Sequence, residues 1–280
     1  MRFSFRFVFP ALLLFSGCRR EVVDPTPREL STAHFVLHYY GMDTAATNGL
    51  MRHLESNRAR VMKDLSVDSM PIVQIFVMDD SAFQKRWGAT IGGSGIKFQV
   101  KALANGVDEI YVYGPLAIKN ATDTPMNVLH EFAHAVTLQL ALSKGDSSHW
   151  PGRGDSTTAK VADRWLAEAI AVYEAGQSTD VNWIGAIRRG DYPTIAELND
   201  PSNGLIYGVG YRIIEYVRKQ WGGDAVVKLV LAHGNVRVLH VTSEEFEDGW
   251  YDWLAKRYLI INPKRFGDSR YSRRMKAAKH

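Results

Sequence analysis

Residues 128–135 read Val-Leu-His-Glu-Phe-Ala-His-Ala and contain the spacing His-Glu-x-x-His at His130, Glu131 and His134. On an α-helix, side chains four residues apart lie on the same face, so both imidazoles can bind one metal ion. Glu131 lies beside them, within reach of a water on that metal. Zinc acidifies such a water, and a neighbouring carboxylate can take the proton. The stretch therefore indicates the metal centre of a zinc-dependent hydrolase.

The helix that carries this motif has recognisable ends. Thr124 can cap its first turn, and Pro125 fits the first helical position, where no backbone N–H is needed. The apolar pattern continues to about Leu142, and Lys144 with Gly145 ends it. We therefore expect both histidines in the interior of one helix.

A catalytic zinc site usually has three protein ligands and a water, so another part of the chain must supply the third ligand. The candidate is Glu168, 34 residues after His134, in the sequence Trp-Leu-Ala-Glu-Ala-Ile-Ala-Val-Tyr-Glu at 165–174. A carboxylate on so apolar a helix is costly unless it is paired or binds a metal. The alternative is an exposed glutamate, but the apolar neighbours of Glu168 favour a ligand.

These two segments together resemble the gluzincin pattern, HExxH followed by WLxEGxAxY. Thermolysin-like enzymes, aminopeptidase N-like enzymes and the bacterial peptidase MA-like family share that pattern. The matching residues are His130, Glu131, His134, Trp165, Leu166, Glu168, Ala171 and Tyr173. The resemblance implies a zincin-like α+β fold, in which the active site lies between an N-terminal subdomain of mixed sheet and helices and a helical C-terminal subdomain. It also implies Zn2+ as the cofactor, held by His130, His134 and Glu168, with Glu131 as the catalytic base.

Two positions depart from the family pattern. Ala169 stands where the family has glycine, and either small residue lets helices pack closely. Val172 stands where thermolysin-like enzymes have an aspartate that supports the metal site. Glu174 is the candidate to replace that aspartate, so we expect it near the metal ligands.

A further segment, residues 207–223, resembles the helix that follows the active site in aminopeptidase N-like enzymes. There a Tyr-x-x-Gly start places a phenol over the carbonyl to be cleaved, and Tyr207 and Gly210 match it here. The resemblance implies that Tyr207 donates a hydrogen bond to the oxyanion. Tyr211 is the competing candidate, and a tyrosine that only packs at a helix start is the simpler alternative.

The function that follows from these resemblances is a zinc metallopeptidase acting on a peptide or protein substrate. Two alternatives stay open, namely a zinc hydrolase of a non-peptide amide and a zincin-fold module that binds partners without catalysis. All the expected catalytic groups are present, which favours an enzyme. No acidic motif indicates capture of a free amino terminus, so endopeptidase and exopeptidase action both remain open.

The first half of the chain has the pattern of a small mixed sheet with helices. The predicted strands are 34–40, 71–78, 96–100 and 109–113. In zincin folds the strand just before the motif helix is an edge strand along the metal cleft, so the resemblance implies that 109–113 is such a strand and can pair with an extended peptide. The predicted helices are 44–65, with Leu50, Leu54 and Val61 as its apolar stripe, and 83–87; residues 92–95 are predicted to form a turn.

The second half is predicted to be helical. The helices are expected at 163–175, 193–198, 205–221 and 225–233, followed by one capped by Ser243. Phe246, Trp250, Leu254 and Tyr258 recur in that last helix at helical spacing, which indicates core positions.

The N-terminus has the pattern of an export signal. Arg2 and Arg6 precede a short apolar run, and small residues lead to Cys18, the only cysteine. Residues 14–18 resemble the lipobox of bacterial lipoproteins, in which the cysteine is lipidated, although Phe15 stands where leucine is usual. The alternative is an ordinary secretion signal cleaved nearby. We expect a protein anchored by lipid at Cys18 in the bacterial cell envelope, facing the periplasm or in the outer membrane.

The composition and net charge are those of a globular protein, which would follow the lipid anchor in the chain. The chain has 280 residues, of which 46% are hydrophobic and 23% charged, and a net charge of +4. The expected organisation is a signal peptide at 1–17, a lipid-anchored linker at 18–30, an α/β subdomain at 31–120, a metal-binding helical subdomain at 121–262 and a basic tail at 263–280. The tail could bind anionic lipid or nucleic acid, but a solvated terminus is the interpretation we favour. We expect a monomer that contacts the membrane through its lipid and binds no nucleic acid.

Overall fold

A mixed sheet and the helices that pack on it form an α+β fold, and the predicted class is confirmed. The described strands lie in the first half of the chain, and the described elements of the second half are helices, as the sequence patterns indicate. The computed structural model describes residues 26–93, 101–119, 122–144, 162–178, 193–202 and 204–257.

The sheet has parallel strands at its centre and antiparallel strands at both edges. Leu37 pairs with Ile75, which in turn pairs with Ile110, and all three side chains are fully buried. This row of apolar residues runs through the middle of the sheet. Its described strands are β1 (Arg28–Ser31), β2 (Phe35–Tyr39), β3 (Val73–Met78), β4 (Ala102–Asn105) and β5 (Glu109–Tyr113), in the spatial order β1-β2-β3-β5-β4.

Two strand assignments made from the sequence change, and a third falls on residues that the structure does not describe. The expectation that residues 109–113 form an edge strand is wrong, because β4 adds antiparallel to the outer side of β5 and is outermost on that side among the described strands. β4 has only four residues, too few for a period-two pattern to be recognised. The strand predicted at 96–100 lies outside the described residues. Residues 28–30, assigned to the linker, belong to β1 and pair with β2.

The helices of the first half are α1 (Thr44–Asp64), α2 (Asp80–Gly93) and α3 (Gly114–Lys119). The carboxylate of Asp43 caps α1 by accepting a hydrogen bond from the backbone N–H of Ala46 at 2.6 Å. The predicted apolar stripe of α1 is fully buried. α2 is longer than predicted and continues through Gly92 and Gly93, so the turn predicted at 92–95 is wrong for those two residues.

The helices of the second half match their predicted positions to within two residues. Thr242, and not Ser243, caps the last helix, because its hydroxyl accepts from the N–H of Glu245 while its own N–H donates to the Glu245 carboxylate. Phe246, Trp250 and Leu254 are buried as predicted, and Tyr258 lies outside the described residues. The elements are α4 (Thr124–Lys144), α5 (Arg164–Glu174), α6 (Ile195–Asn199), α7 (Ile206–Trp221), α8 (Asp224–Leu231), a short 3-10 helix (Val236–Leu239) and α9 (Ser243–Arg257).

One hydrophobic cluster joins the sheet to the helices. Phe35 of β2 meets Phe132 of α4 edge to face, with ring centroids 5.3 Å apart and both side chains fully buried. α5 and α7 approach closely at Ala169 and Gly210, since a Cβ on Gly210 would lie 2.8 Å from the Cα of Ala169. The small residue at position 169 therefore permits the close packing of α5 against α7.

Candidate metal centre

Three ligand atoms converge between α4 and α5. Nε2 of His130 lies 3.2 Å from Nε2 of His134 and 3.2 Å from Oε2 of Glu168, and the distance from His134 Nε2 to that oxygen is 3.6 Å. In a tetrahedral zinc site neighbouring ligand atoms are about 3.3 Å apart, because Zn–N and Zn–O bonds measure about 2.0–2.1 Å. The observed spacing fits that geometry, so this buried group could hold a metal ion.

The motif helix α4 places the two histidines one turn apart on its inner face. His130 is 7% exposed and His134 is 6% exposed, and their ring centroids are 4.8 Å apart. Phe132 and Ala133, which lie between them in the chain, are fully buried on other faces of the same helix. The helix is thus surrounded by protein, and packing fixes the direction in which the imidazoles point.

The charge on Glu168 is stabilised by its neighbours. Burial alone would raise the pKa of Glu168, but its hydrogen bonds to His130 and His134 and their positive charge hold that pKa far below its usual value. Burial lowers the pKa of His130, but the hydrogen bond that His130 donates to the Glu168 carboxylate and the nearby charge of Glu131 outweigh it, so the net shift is upward. Glu168 is therefore a carboxylate ion at neutral pH, and the cluster favours a positive charge.

Glu131 is held in place by the edge strand. Its Oε2 accepts a hydrogen bond from the backbone N–H of Ala104 in β4 at 2.9 Å. Among the described strands β4 is outermost, so its outer backbone groups are available to a side chain such as Glu131. Sequence reasoning missed Ala104 because it missed β4.

The second ring nitrogen of His130 contacts Gln177. Nδ1 of His130 and Oε1 of Gln177 are 2.9 Å apart, and Nε2 of Gln177 donates to Oδ1 of Asn127 at 3.3 Å. Gln177 follows α5 directly and was not identified from the sequence. The available signal was a polar residue just after Gly176, at the end of the helix that carries Glu168.

The prediction that Glu174 supports the metal site is wrong. Six residues carry it about 240° around α5 from Glu168, onto another face of the helix. There its carboxylate accepts from the Arg60 guanidinium at 2.5 Å, and Arg60 also donates to the backbone carbonyl of Glu174 at 2.5 Å. Burial raises the pKa of Glu174 to about 7 in spite of Arg60.

Of the two candidate phenols, Tyr207 is the one beside the ligands. Its ring centroid lies 6.2 Å from that of His130. The ring of Tyr211 packs on Tyr173 instead, with centroids 5.0 Å apart, and the Arg212 guanidinium lies over it. The two tyrosines are one helical turn apart on α7, yet they lie in different environments.

The phenol of Tyr207 is in a region of negative charge. Burial raises the pKa of Tyr207, and the charge of Glu168 raises it further, while a hydrogen bond from Arg164 opposes the shift. The guanidinium of Arg164 lies 5.7 Å from the Tyr207 ring and donates to the carbonyls of Leu198 and Asp200 at 2.7 and 3.1 Å. The phenol therefore keeps its proton at neutral pH.

Cys18 and the basic tail lie outside the described residues, so the structure adds nothing about either. Within the part of the chain that the structure describes, no helix is long and apolar enough to cross a membrane.

Comparison with known proteins finds no matching family model, no similar curated protein and no similar solved structure. Inferences about function therefore depend on the geometry of His130, His134, Glu168 and the groups around them.

Proposed function

We propose that the protein is a zinc metallopeptidase of the gluzincin type, similar to the bacterial peptidase MA-like family and with a zincin-like fold. The observation that carries the proposal is the convergence of His130, His134 and Glu168 at tetrahedral spacing, with Glu131 beside them. Two imidazoles and a carboxylate are a donor set found in catalytic zinc sites, where three protein ligands leave one position open. When bound, zinc supplies the Lewis acidity that polarises a carbonyl and acidifies water.

The residues around the ligands have roles that follow from their positions. Glu131 takes the proton of the attacking water and later returns it to the leaving amine. The N–H of Ala104 holds one carboxylate oxygen of Glu131, which leaves the other oxygen to act as the base. Tyr207 donates its phenol proton in a hydrogen bond to the carbonyl oxygen as that oxygen becomes negative.

The edge strand β4 supports a peptide as the substrate. An extended peptide can pair with the open side of an edge strand, and Ala104 in β4 already contacts Glu131. A peptide paired along β4 would pass next to the ligand cluster. In this arrangement the active site lies between the sheet, at its edge strand β4, and the helices α4 and α5 that carry the ligands.

Substitution Glu131→Gln tests the proposal. Glutamine keeps the size of the side chain but cannot act as a base, so hydrolysis should fall by about 100-fold or more. Zinc content should stay unchanged, because Glu131 is not among the three ligands. The full chain would be incubated with a peptide library, with and without a chelator, and cleavage followed by mass spectrometry. Glu244→Gln, at an exposed position in the first turn of α9, is the matched control.

Each outcome of that experiment points to one reading. Retained hydrolysis in Glu131→Gln contradicts the assigned base. A wild-type protein that binds zinc but cleaves no peptide contradicts the peptidase, and leaves a hydrolase of another amide or a binding module. A wild-type protein without zinc contradicts both enzymatic readings.

We also propose that Cys18 carries the lipid that anchors the protein as a monomer in the bacterial cell envelope. The pattern of residues 1–18 supports this proposal. In cell fractionation, the wild type should sediment with membranes and Cys18→Ala should not be lipidated. Equal membrane association of the two proteins would contradict a lipid anchor at this residue.

A further inference from the structure

Both ring nitrogens of His130 contact other groups. One of them must present a lone pair, and the other must donate a proton. Nε2 points into the ligand cluster, where it must present a lone pair to bind a metal. A neutral imidazole has one N–H and one lone pair, so Nδ1 must then carry the proton. The atom facing Nδ1, at 2.9 Å, is Oε1 of Gln177, an acceptor. The contact therefore selects the tautomer that can bind a metal.

The amide of Gln177 is itself held in one orientation. Its Nε2 donates to Oδ1 of Asn127 at 3.3 Å, which leaves Oε1 to face His130. Asn127 precedes His130 by three residues on α4, so both groups that Gln177 contacts belong to the motif helix. The glutamine thus bridges two positions of one rigid element.

The backbone of Gln177 is fixed by the end of α5. Gly176 has φ of +68°, its N–H donates to Tyr173 O at 3.0 Å, and the N–H of Gln177 donates to Val172 O at 3.0 Å. These two bonds form a Schellman motif, which locks the residues just after a helix. α5 therefore supplies Glu168 from its interior and Gln177 from its cap, both toward the same histidine.

We propose that Gln177 is a positioning residue for the metal centre, which accepts the Nδ1–H of His130 and so keeps Nε2 ready to bind the metal. The inference rests on the proposed zinc site. The carboxylate expected for this role, Glu174, is engaged by Arg60 instead. A neutral amide in this position orients the imidazole without adding a negative charge to the site.

Zinc affinity of the full-length protein, measured by competition with a chromophoric chelator, tests the role of Gln177. Gln177→Met keeps the length of the side chain and removes the acceptor, so the dissociation constant should rise by about 10- to 100-fold. Gln177→Glu keeps an acceptor and should bind zinc at least as tightly as wild type. Gln220→Ala, at an exposed position near the end of α7, is the control and should not change the affinity. Circular dichroism of each metal-free variant checks that it is folded.

The two substitutions together separate orientation from packing. Equal affinity of wild type and Gln177→Met would overturn the proposal, since the side chain would then only fill space. Weaker binding by Gln177→Glu would also overturn it, because Gln177 would then act toward His130 as a donor. If wild type binds no zinc, the proposed function fails; if wild type binds zinc and Gln177→Met binds it equally, only the role of Gln177 fails.

Discussion

Helix α5 carries a fully buried glutamate and a half-buried one, and their surroundings differ. Glu174 is 2% exposed and faces Arg60, a permanent cation that supplies two hydrogen bonds to it. Glu168 faces His130 and His134, whose nitrogens can present lone pairs as readily as protons. A carboxylate that contacts an arginine forms a structural ion pair with it. A carboxylate that contacts two imidazoles forms, together with them, a set of three ligands that a metal ion can bind. Partners, more than burial, distinguish the two glutamates.

Substitution of each glutamate by glutamine should separate a ligand from an ion pair most clearly. Glu168→Gln should weaken zinc binding by more than about 100-fold, because a direct ligand contributes more than a group that only orients one. Glu174→Gln should leave zinc affinity within about twofold of wild type, because Glu174 lies on another face of α5. Chelator competition measures both values. Similar losses in the two variants would show that α5 acts as one unit and that the comparison is wrong.

The free energy of unfolding should depend on pH through the titration of Glu174. Its pKa is raised from 4.5 to about 7 in the folded protein, mainly by burial. Because the folded-state value is the higher one, its contribution to stability is full below about pH 4.5 and is lost as the pH rises through about 7. With about 1.4 kcal/mol for each unit, the loss is on the order of 3 kcal/mol.

Denaturant unfolding of the metal-free protein between pH 4.5 and 8 measures this loss. Glu174→Gln is the reference, since it has no titrating group at this position. Wild type should lose stability relative to Glu174→Gln across the range. A constant difference between the two proteins would mean that Arg60 fully compensates the charge of Glu174.

Removal of the Glu174 side chain should affect stability and leave zinc binding alone. Glu174→Ala leaves the Arg60 guanidinium without its carboxylate, which should cost about 1–3 kcal/mol in the free energy of unfolding. Arg60 is partly exposed, so water can replace some of the lost bonds. Urea unfolding at pH 5, where Glu174 is mostly protonated and its buried charge adds no cost of its own, measures this loss, and Glu244→Ala at an exposed position of α9 is the control. A loss of zinc binding without a loss of stability would contradict the assignment of Glu174 to an ion pair with Arg60.

The sequence predicted the elements that have long, regular patterns. α1, α4, α5 and α7 each repeat apolar residues at helical spacing over 11 to 21 residues, and local signals such as Asp43 mark their ends. β1 and β4 have four residues each and lie at the edges of the sheet. Whether such a short segment becomes a strand depends on the neighbour it pairs with, which local sequence does not show.

The metal ligands were predictable for a similar reason. His130 and His134 share a face of any helix that contains them, and Glu168 is conspicuous on an apolar helix. The partners of these residues were not predictable, because Gln177 and Ala104 reach the site only through the packing of α4 against α5 and β4. Glu174 cannot replace them, because six residues place it about 240° around α5 from Glu168, on the face that contacts Arg60 of α1.

The zinc content of the purified full-length protein tests the metal centre most directly. Elemental analysis after dialysis against metal-free buffer should find one zinc per chain in wild type. A variant with His130→Ala and His134→Ala should contain none, while its circular dichroism should stay helical. No zinc in wild type, or one zinc per chain in the double variant, would contradict a zinc site at His130, His134 and Glu168.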